Sequence, residues 1–171
     1  MQFLGVTYRF YRCRRCKGLS LEPHVSTEAQ LAMYGTTYLG SLDAHSAREE
    51  PDDKLLNFIK WLESSSLNDV TTFLDYGCGG SPEALRAATR LGISAVGVEF
   101  DGTVRERAAK FAGCRVVSPL DILAQDSGFD VIFLGDVLEH VSDPQRLLLD
   151  LRRVISNDGV IYVQGPLEGS P

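Results

Sequence analysis

The sequence predicts an α/β fold: a doubly wound, mostly parallel sheet of about five strands, preceded by an irregular N-terminal appendage. Three observations carry this expectation. From residue 71 onward, strand-length apolar runs alternate with amphipathic segments of helix length. The runs are apolar throughout rather than at every second residue, which signals burial on both faces and hence a parallel sheet covered by helices. The intervening segments begin with capping residues and end in glycine, the rhythm of β-α-β units.

Taken in order, Thr71–Tyr76 is the first strand and runs into Gly77-Cys78-Gly79-Gly80. Ser81 can cap the next helix and Pro82 suits its first turn. Leu85, Ala88 and Leu91 share one face of that helix, and Gly92 closes it. Ala95–Phe100 is the second strand. Asp101 caps a helix bearing Val104, Ala108 and Phe111, which Gly113 ends. Cys114–Val117 and Phe129–Leu134 are the third and fourth strands. Asp143-Pro144 starts a helix that buries Leu147, Leu151, Val154 and Ile155; Gly159 stops it, and Val160–Val163 is the fifth strand. Upstream, residues 27–34 read as a short helix. Pro51 opens an amphipathic helix with Leu55, Ile59 and Leu62 on one face, ending near Ser64. The change of texture near residue 50 divides an appendage, 1–50, from an α/β domain, 51–171.

A chain of 171 residues is one domain's worth and removes roughly 70% of its unfolded surface on folding. With 44% apolar and 23% charged residues it is not a disordered or low-complexity chain. The net charge of −6 disfavours a duplex nucleic-acid partner. Arg9, Arg12, Arg14, Arg15 and Lys17 crowd the first 17 residues without an acid among them; one short basic run reads as a solvated surface. No apolar run approaches the about 20 residues of a membrane span, and the N-terminus is the reverse of a signal peptide. Four scattered cysteines make no disulfide framework, so the expected compartment is a reducing cytoplasm.

In open α/β sheets, ligands bind beyond the carboxyl ends of the strands. The first strand ends in a glycine loop whose backbone can approach a ligand closely, and the helix after it offers free N–H groups to an anion. Glu99 lies 20 residues past Gly79, at the end of the second strand, the spacing at which an acid meets a ribose diol. Together these describe a nucleoside ligand; the bland alternative is a structural glycine turn. Pro82 stands where a dinucleotide loop has its third glycine, which argues against NAD, and no Lys-Ser/Thr pair makes the loop a triphosphate cradle.

Three segments in order resemble the class I S-adenosylmethionine-dependent methyltransferases, with their Rossmann-like fold. They are Phe73–Gly80, Val96–Asp101 and Phe129–Pro144, followed by Asn157-Asp158-Gly159 before the fifth strand; the likeness covers about residues 55–166. The resemblance implies S-adenosylmethionine as cofactor. It implies that Gly77 and Gly79 let the methionine part lie against the backbone while Asp75 orients its amino group. Glu99 would hold the ribose hydroxyls, Phe100 would pack on the adenine, Leu120 or Asp121 would line the adenine pocket, and Gly135 would border the cofactor. Phe100 as core and Asp75 as a loop cap are the plain alternatives.

Asp136-Val137-Leu138-Glu139-His140 falls where this family places substrate-facing residues, and resembles the Glu-x-x-Glu-His run of ubiquinone-pathway O-methyltransferases, with Asp136 for the first Glu. In a helical turn, Asp136, Glu139 and His140 would share one side. Three readings stand: His140 as general base with Asp136 and Glu139 in support, a divalent cation held by all three, or local structure only. The acceptor is expected to be a small molecule or a carrier-bound group.

Cys13-Arg14-Arg15-Cys16 is half of a zinc site, and Cys13–Leu19 resembles the second half of the zinc-ribbon segment that opens some family members. The first pair is missing, so free thiols are the expectation and no metal is assigned. The family's sheet has seven strands, whereas this chain ends soon after the fifth, whose open edge would invite aggregation. The chain is therefore expected to be a truncation, or to cover that edge with its own arm or with a second copy in a homo-oligomer. The leading reading is a methyltransferase; the alternative is an S-adenosylmethionine-binding fragment or interaction module without turnover.

Overall fold

The computed structural model describes residues 2–26, 70–80, 82–124 and 128–165, together with Ala29, Ala32, Phe58, Lys60, Trp61, Leu62 and Ser64. It divides into two units, residues 1–41 and 42–171.

In the first unit, β1 (Gln2–Phe3) pairs antiparallel with β2 (Val6–Thr7), and β3 (Arg9–Arg12) with β4 (Leu19–Glu22). What the sequence reads as irregular thus holds two short ribbons among turns. The second ribbon turns through both cysteines: Cys13 N–H donates to Gly18 O and Lys17 N–H to Cys13 O. Both thiols are free and exposed. Backbone N–H groups of Cys16 and Arg15 draw the Cys13 thiol below its usual range. Ala29 and Ala32 are helical, in the segment expected to be a short helix; the rest of that segment lies outside the described residues.

In the second unit the five apolar runs form one parallel sheet. Its strands are β5 (Thr72–Tyr76), β6 (Ser94–Val98), β7 (Arg115–Val117), β8 (Phe129–Gly135) and β9 (Ile155–Gln164), in the order β7-β6-β5-β8-β9. Because β5 is central and its two neighbours are reached in opposite directions, the topological switch lies at its carboxyl end. The continuous apolar patterning has its predicted consequence. Leu74, Ile132 and Leu134 face a core completed by Ile122, Leu147, Leu151 and Val154, whereas Phe73, Val131 and Phe133 face one completed by Phe58, Leu85 and Ala88. Each such side chain, taken wholly from water, contributes about 1.5–3 kcal/mol. The Phe58 ring is fully buried, with centroids 4.9 Å from Phe133, 5.2 Å from Phe73 and 5.6 Å from Tyr162.

The helices follow their caps. The first, α1 (Glu83–Arg90), has Pro82 in the cap position with no side-chain cap; Ser81, the expected cap, lies outside the described residues. Leu91 is 57% exposed rather than on the buried face, because the helix has ended before it. Helix α2 (Gly102–Ala112) is capped as expected: Asp101 accepts the N–H groups of Thr103 and Val104, and Gly113 closes the helix with φ +65°. Helix α3 (Pro119–Leu123) opens with a reciprocal Ser118–Asp121 capping box. Helix α4 (Pro144–Leu151) starts from Asp143 and ends earlier than predicted. Its last turn tightens through Arg153 N–H to Asp150 O and Val154 N–H to Leu151 O. Val154 stays in the core, but Ile155 leaves the helix and opens β9 opposite Phe129, so that Gly159 lies inside the strand. Among the described residues β9 pairs on one side only, and no helix is long and apolar enough to cross a membrane. The helix expected over residues 51–64 is represented by Phe58, Lys60, Trp61, Leu62 and Ser64, all helical; its other residues lie outside the description.

Candidate cofactor and active site

The glycine loop leaves β5 at Tyr76 and folds onto the end of β6. Gly77 N–H and Cys78 N–H both donate to Val98 O, at 2.8 and 3.0 Å. Gly77 has φ +81° and Gly79 φ +64°, the left-handed region that glycine enters without a Cβ penalty. The two positions differ in surroundings. A Cβ on Gly77 would stand 2.8 Å from Val137 Cγ2, whereas one on Gly79 would meet nothing within 4 Å. The loop is therefore packed on its Gly77 side and open at Gly79.

Glu99 follows β6 directly and closes on that open part. Its Oε2 accepts the Gly79 N–H at 3.0 Å, and its Oε1 accepts the Asp101 N–H at 3.0 Å. Two backbone donors thus hold the carboxylate at the strand's carboxyl end, with lone pairs left for another donor. Arg105 fixes the same corner by donating to Glu99 O at 3.0 Å and Phe100 O at 3.2 Å. Phe100 lies past the strand rather than in it and is 64% exposed, so its ring is not core.

Asp75 is buried in the middle of this corner. Burial first, and the Glu99 charge second, push its carboxyl up to about 7. Cys78 lies beneath the loop: a Cβ on Gly97 would come within 3.0 Å of its Sγ. Burial pushes that thiol far above the usual range, which makes it a packing group and not a nucleophile. Leu120, in the first turn of α3, is 81% exposed. Asp121 is engaged locally, its Oδ2 accepting the Ser118 hydroxyl at 2.7 Å, and this hydrogen bond draws its carboxyl below the usual range.

At the end of β8, Gly135 pairs with Gln164. Asp136 takes φ +54° and donates its N–H to Gln164 O at 2.8 Å. The only helical turn here is a 3₁₀ turn over Leu138–His140. The expected helical face of Asp136, Glu139 and His140 therefore does not form, since a left-handed residue cannot start a right-handed turn. Glu139 and His140 are exposed on the 3₁₀ turn, and a Cβ on Gly165 would stand 3.4 Å from Glu139 Oε2. Among the described residues no three of His, Cys, Asp and Glu converge as a metal would require. Sequence reasoning missed Val137, Arg105 and Gln164. Only the strand-end position of Gln164 was a signal for any of them.

Comparison with known proteins gives the family and the fold. Residues 74–163 match the family described as a methyltransferase domain, and the chain belongs to that family, within the class I S-adenosylmethionine-dependent methyltransferases. It is 27% identical over 155 residues to the ubiquinone biosynthesis O-methyltransferase of Caulobacter vibrioides, covering 86% of this chain and 55% of that protein. It is 33% identical over 108 residues to a 2-phytyl-1,4-naphtoquinone methyltransferase of Trichormus variabilis, covering 57% of this chain and 46% of that protein. The chain thus spans about half the length of these curated relatives. Among solved structures, a TehB-like methyltransferase of Corynebacterium glutamicum superposes with a TM-score of 0.59 at 19% identity, covering 81% of this chain and 78% of that one. The plantazolicin methyltransferase BpumL, solved with a triazolic desmethylPZN analogue and SAH, gives 0.64 at 18% identity, covering 78% of this chain and 55% of that one. At these identities the structures establish the shared fold.

Proposed function

We propose that the chain binds S-adenosylmethionine at the β5–β6 corner and transfers its methyl group to a small-molecule or carrier-bound acceptor. The observation that carries this reading is the Glu99 carboxylate, held by the Gly79 and Asp101 N–H groups beside open space at Gly79. A nucleoside fits there: the carboxylate retains acceptor capacity for a ribose diol, and the absent Cβ leaves room against the loop backbone. When bound, the cofactor supplies a methyl group already activated on a sulfonium.

The chain's own residues then have defined tasks. Glu99 accepts the ribose hydroxyls from a position its two backbone donors have set in advance. Gly79 lets the ligand approach the main chain, and Gly77 supplies the left-handed turn that packs against Val137. Asp75, once ionised, attracts an ammonium group. Phe100 and Leu120 offer exposed apolar surface to an adenine ring, and Asp121 holds Leu120 in place through the capping box. Gly135 keeps the end of β8 free of side chain. His140 takes the proton of the acceptor group from the exposed turn it shares with Glu139, on the loop that Asp136 opens. The names of two relatives carry quinones and one is an O-methyltransferase, which supports an aromatic acceptor methylated on oxygen.

Calorimetric titration of the chain with S-adenosylmethionine and S-adenosylhomocysteine tests the reading. We expect micromolar binding that Glu99→Ala abolishes. In an acceptor screen His140→Ala is expected to lower turnover by about 10²-fold without changing cofactor affinity. A folded wild-type chain that binds neither compound overturns the proposal. Binding without turnover on any acceptor favours a cofactor-binding module instead.

A further inference from the structure

The Cys13-x-x-Cys16 pair has no task in the methyltransferase reading. Its geometry is that of two thiols held ready to react. The turn between β3 and β4 is closed by backbone hydrogen bonds, Cys13 N–H to Gly18 O at 2.8 Å and Lys17 N–H to Cys13 O at 2.9 Å. Arg12 locks it from the side, its guanidinium donating to Lys17 O at 3.1 Å. The chain reverses through Lys17, which has φ +63°. Gly18 keeps the space beside Cys16 clear: a Cβ there would stand 3.4 Å from the Cys16 Sγ.

Inside this turn the two sulfurs meet. The Cys13 sulfur accepts the backbone N–H groups of Cys16 and Arg15 and the S–H of Cys16, and these hydrogen bonds draw the Cys13 thiol below its usual range. Such donors favour the thiolate, the form of cysteine that is nucleophilic. Both thiols are exposed. The other two cysteines differ: Cys78 and Cys114 are partly buried, and burial pushes both thiols above the usual range. Charge adds selectivity. Arg9, Arg12, Arg14, Arg15 and Lys17 all precede the first acid of the chain, Glu22, although the whole chain carries −6. A positive local field raises the encounter rate of anions.

We propose that Cys13 and Cys16 form a thiol–disulfide exchange site for anionic disulfides of the glutathione class. The Cys13 thiolate attacks one sulfur of the small disulfide; a mixed disulfide forms on Cys13 as the substrate's S–S bond breaks, and one thiolate leaves with the electron pair. Cys16 gives up its proton to that thiolate and attacks the Cys13 sulfur. The Cys13–Cys16 disulfide forms and the second thiolate leaves. The pair is oxidised by two electrons and the small disulfide is reduced to two thiols; an excess of thiol reverses the sequence.

The full chain is incubated with glutathione disulfide under native conditions and followed by intact-mass spectrometry. The wild type is expected to lose two hydrogens and to retain no glutathione. Cys16→Ser, without the resolving thiol, should keep one glutathione on Cys13, and Cys13→Ser should react about tenfold more slowly than Cys16→Ser. Salt should slow the reaction with glutathione disulfide and speed the reaction with cystamine, a cationic disulfide. Both side chains are exposed, so neither serine disturbs the core. A wild type that accumulates glutathione without closing the pair overturns the proposal, as does equal reaction at Cys13 and Cys16 in the single variants. A salt effect of the same sign for both disulfides overturns the anionic substrate class. Uptake of one zinc ion by two chains that blocks exchange makes the pair a metal site and overturns the proposal as well.

Discussion

Asp75→Asn should make the protein more stable at neutral and alkaline pH, by an amount that grows with pH. Burial and the Glu99 charge raise the Asp75 carboxyl from 3.8 to about 7 in the folded chain. Below the lower value the group is protonated in both states and costs nothing. Between the two, the unfolded chain releases the proton while the folded chain keeps it, so unfolding becomes easier as pH rises. Above about 7 both forms are ionised and the loss is complete. At 1.36 kcal/mol per pH unit, the interval of about three units amounts to about 4 kcal/mol. Asparagine has nearly the same shape and does not titrate. Every other titrating group is common to both proteins, so the difference between their unfolding free energies isolates this carboxyl. Urea denaturation followed by fluorescence of Trp61, the single tryptophan, gives that difference. From pH 5 to pH 8 it should grow in favour of the variant by about 3 kcal/mol, then level off. A flat difference, or one that grows in favour of the wild type, would refute a buried carboxyl with a raised pKa. The same reasoning predicts that a cationic ligand group beside Asp75 binds with proton release near neutral pH.

The two loop glycines should respond unequally to alanine. Gly79→Ala meets open space and bears only the left-handed backbone, about 1–2 kcal/mol, whereas Gly77→Ala adds a clash with Val137 and should lower the melting temperature further. Asp130 ties the start of β5 to β8, its Oδ2 accepting Thr71 N–H at 2.9 Å, the Thr71 hydroxyl at 3.0 Å and Thr72 N–H at 3.0 Å. Asp130→Ala should therefore cost about 1–3 kcal/mol in chemical denaturation. These hydrogen bonds hold the Asp130 carboxyl below its usual range. Its contribution is thus present above the unfolded-state pKa and fades as pH falls through the folded one, so the variant and the wild type should converge in acid.

Much of the fold is legible in the chain because burial on both faces of a parallel strand leaves an uninterrupted apolar run. Phe73 and Leu74 point to opposite cores, as do Phe133 and Leu134, and no other common environment asks for that pattern. The cofactor corner is legible for a related reason. Gly77, Gly79 and Glu99 are separated by one β-α-β unit, and the length of such a unit is nearly constant, so their spacing stands in for their proximity. Caps such as Asp101 and Ser118 act within three residues and can be read directly. Tertiary structure decided what depends on distant partners. The end of α4 at Leu151 goes with the pairing of Ile155 opposite Phe129 across the sheet, a partner that no local propensity records. The left-handed Asp136, which breaks the expected alignment with Glu139 and His140, comes with a hydrogen bond to Gln164, 28 residues away. The pKa of Asp75 follows from burial between elements. Periodicity and spacing record what a residue needs from its own element; the partner supplied by another element is settled only when the sheet has closed.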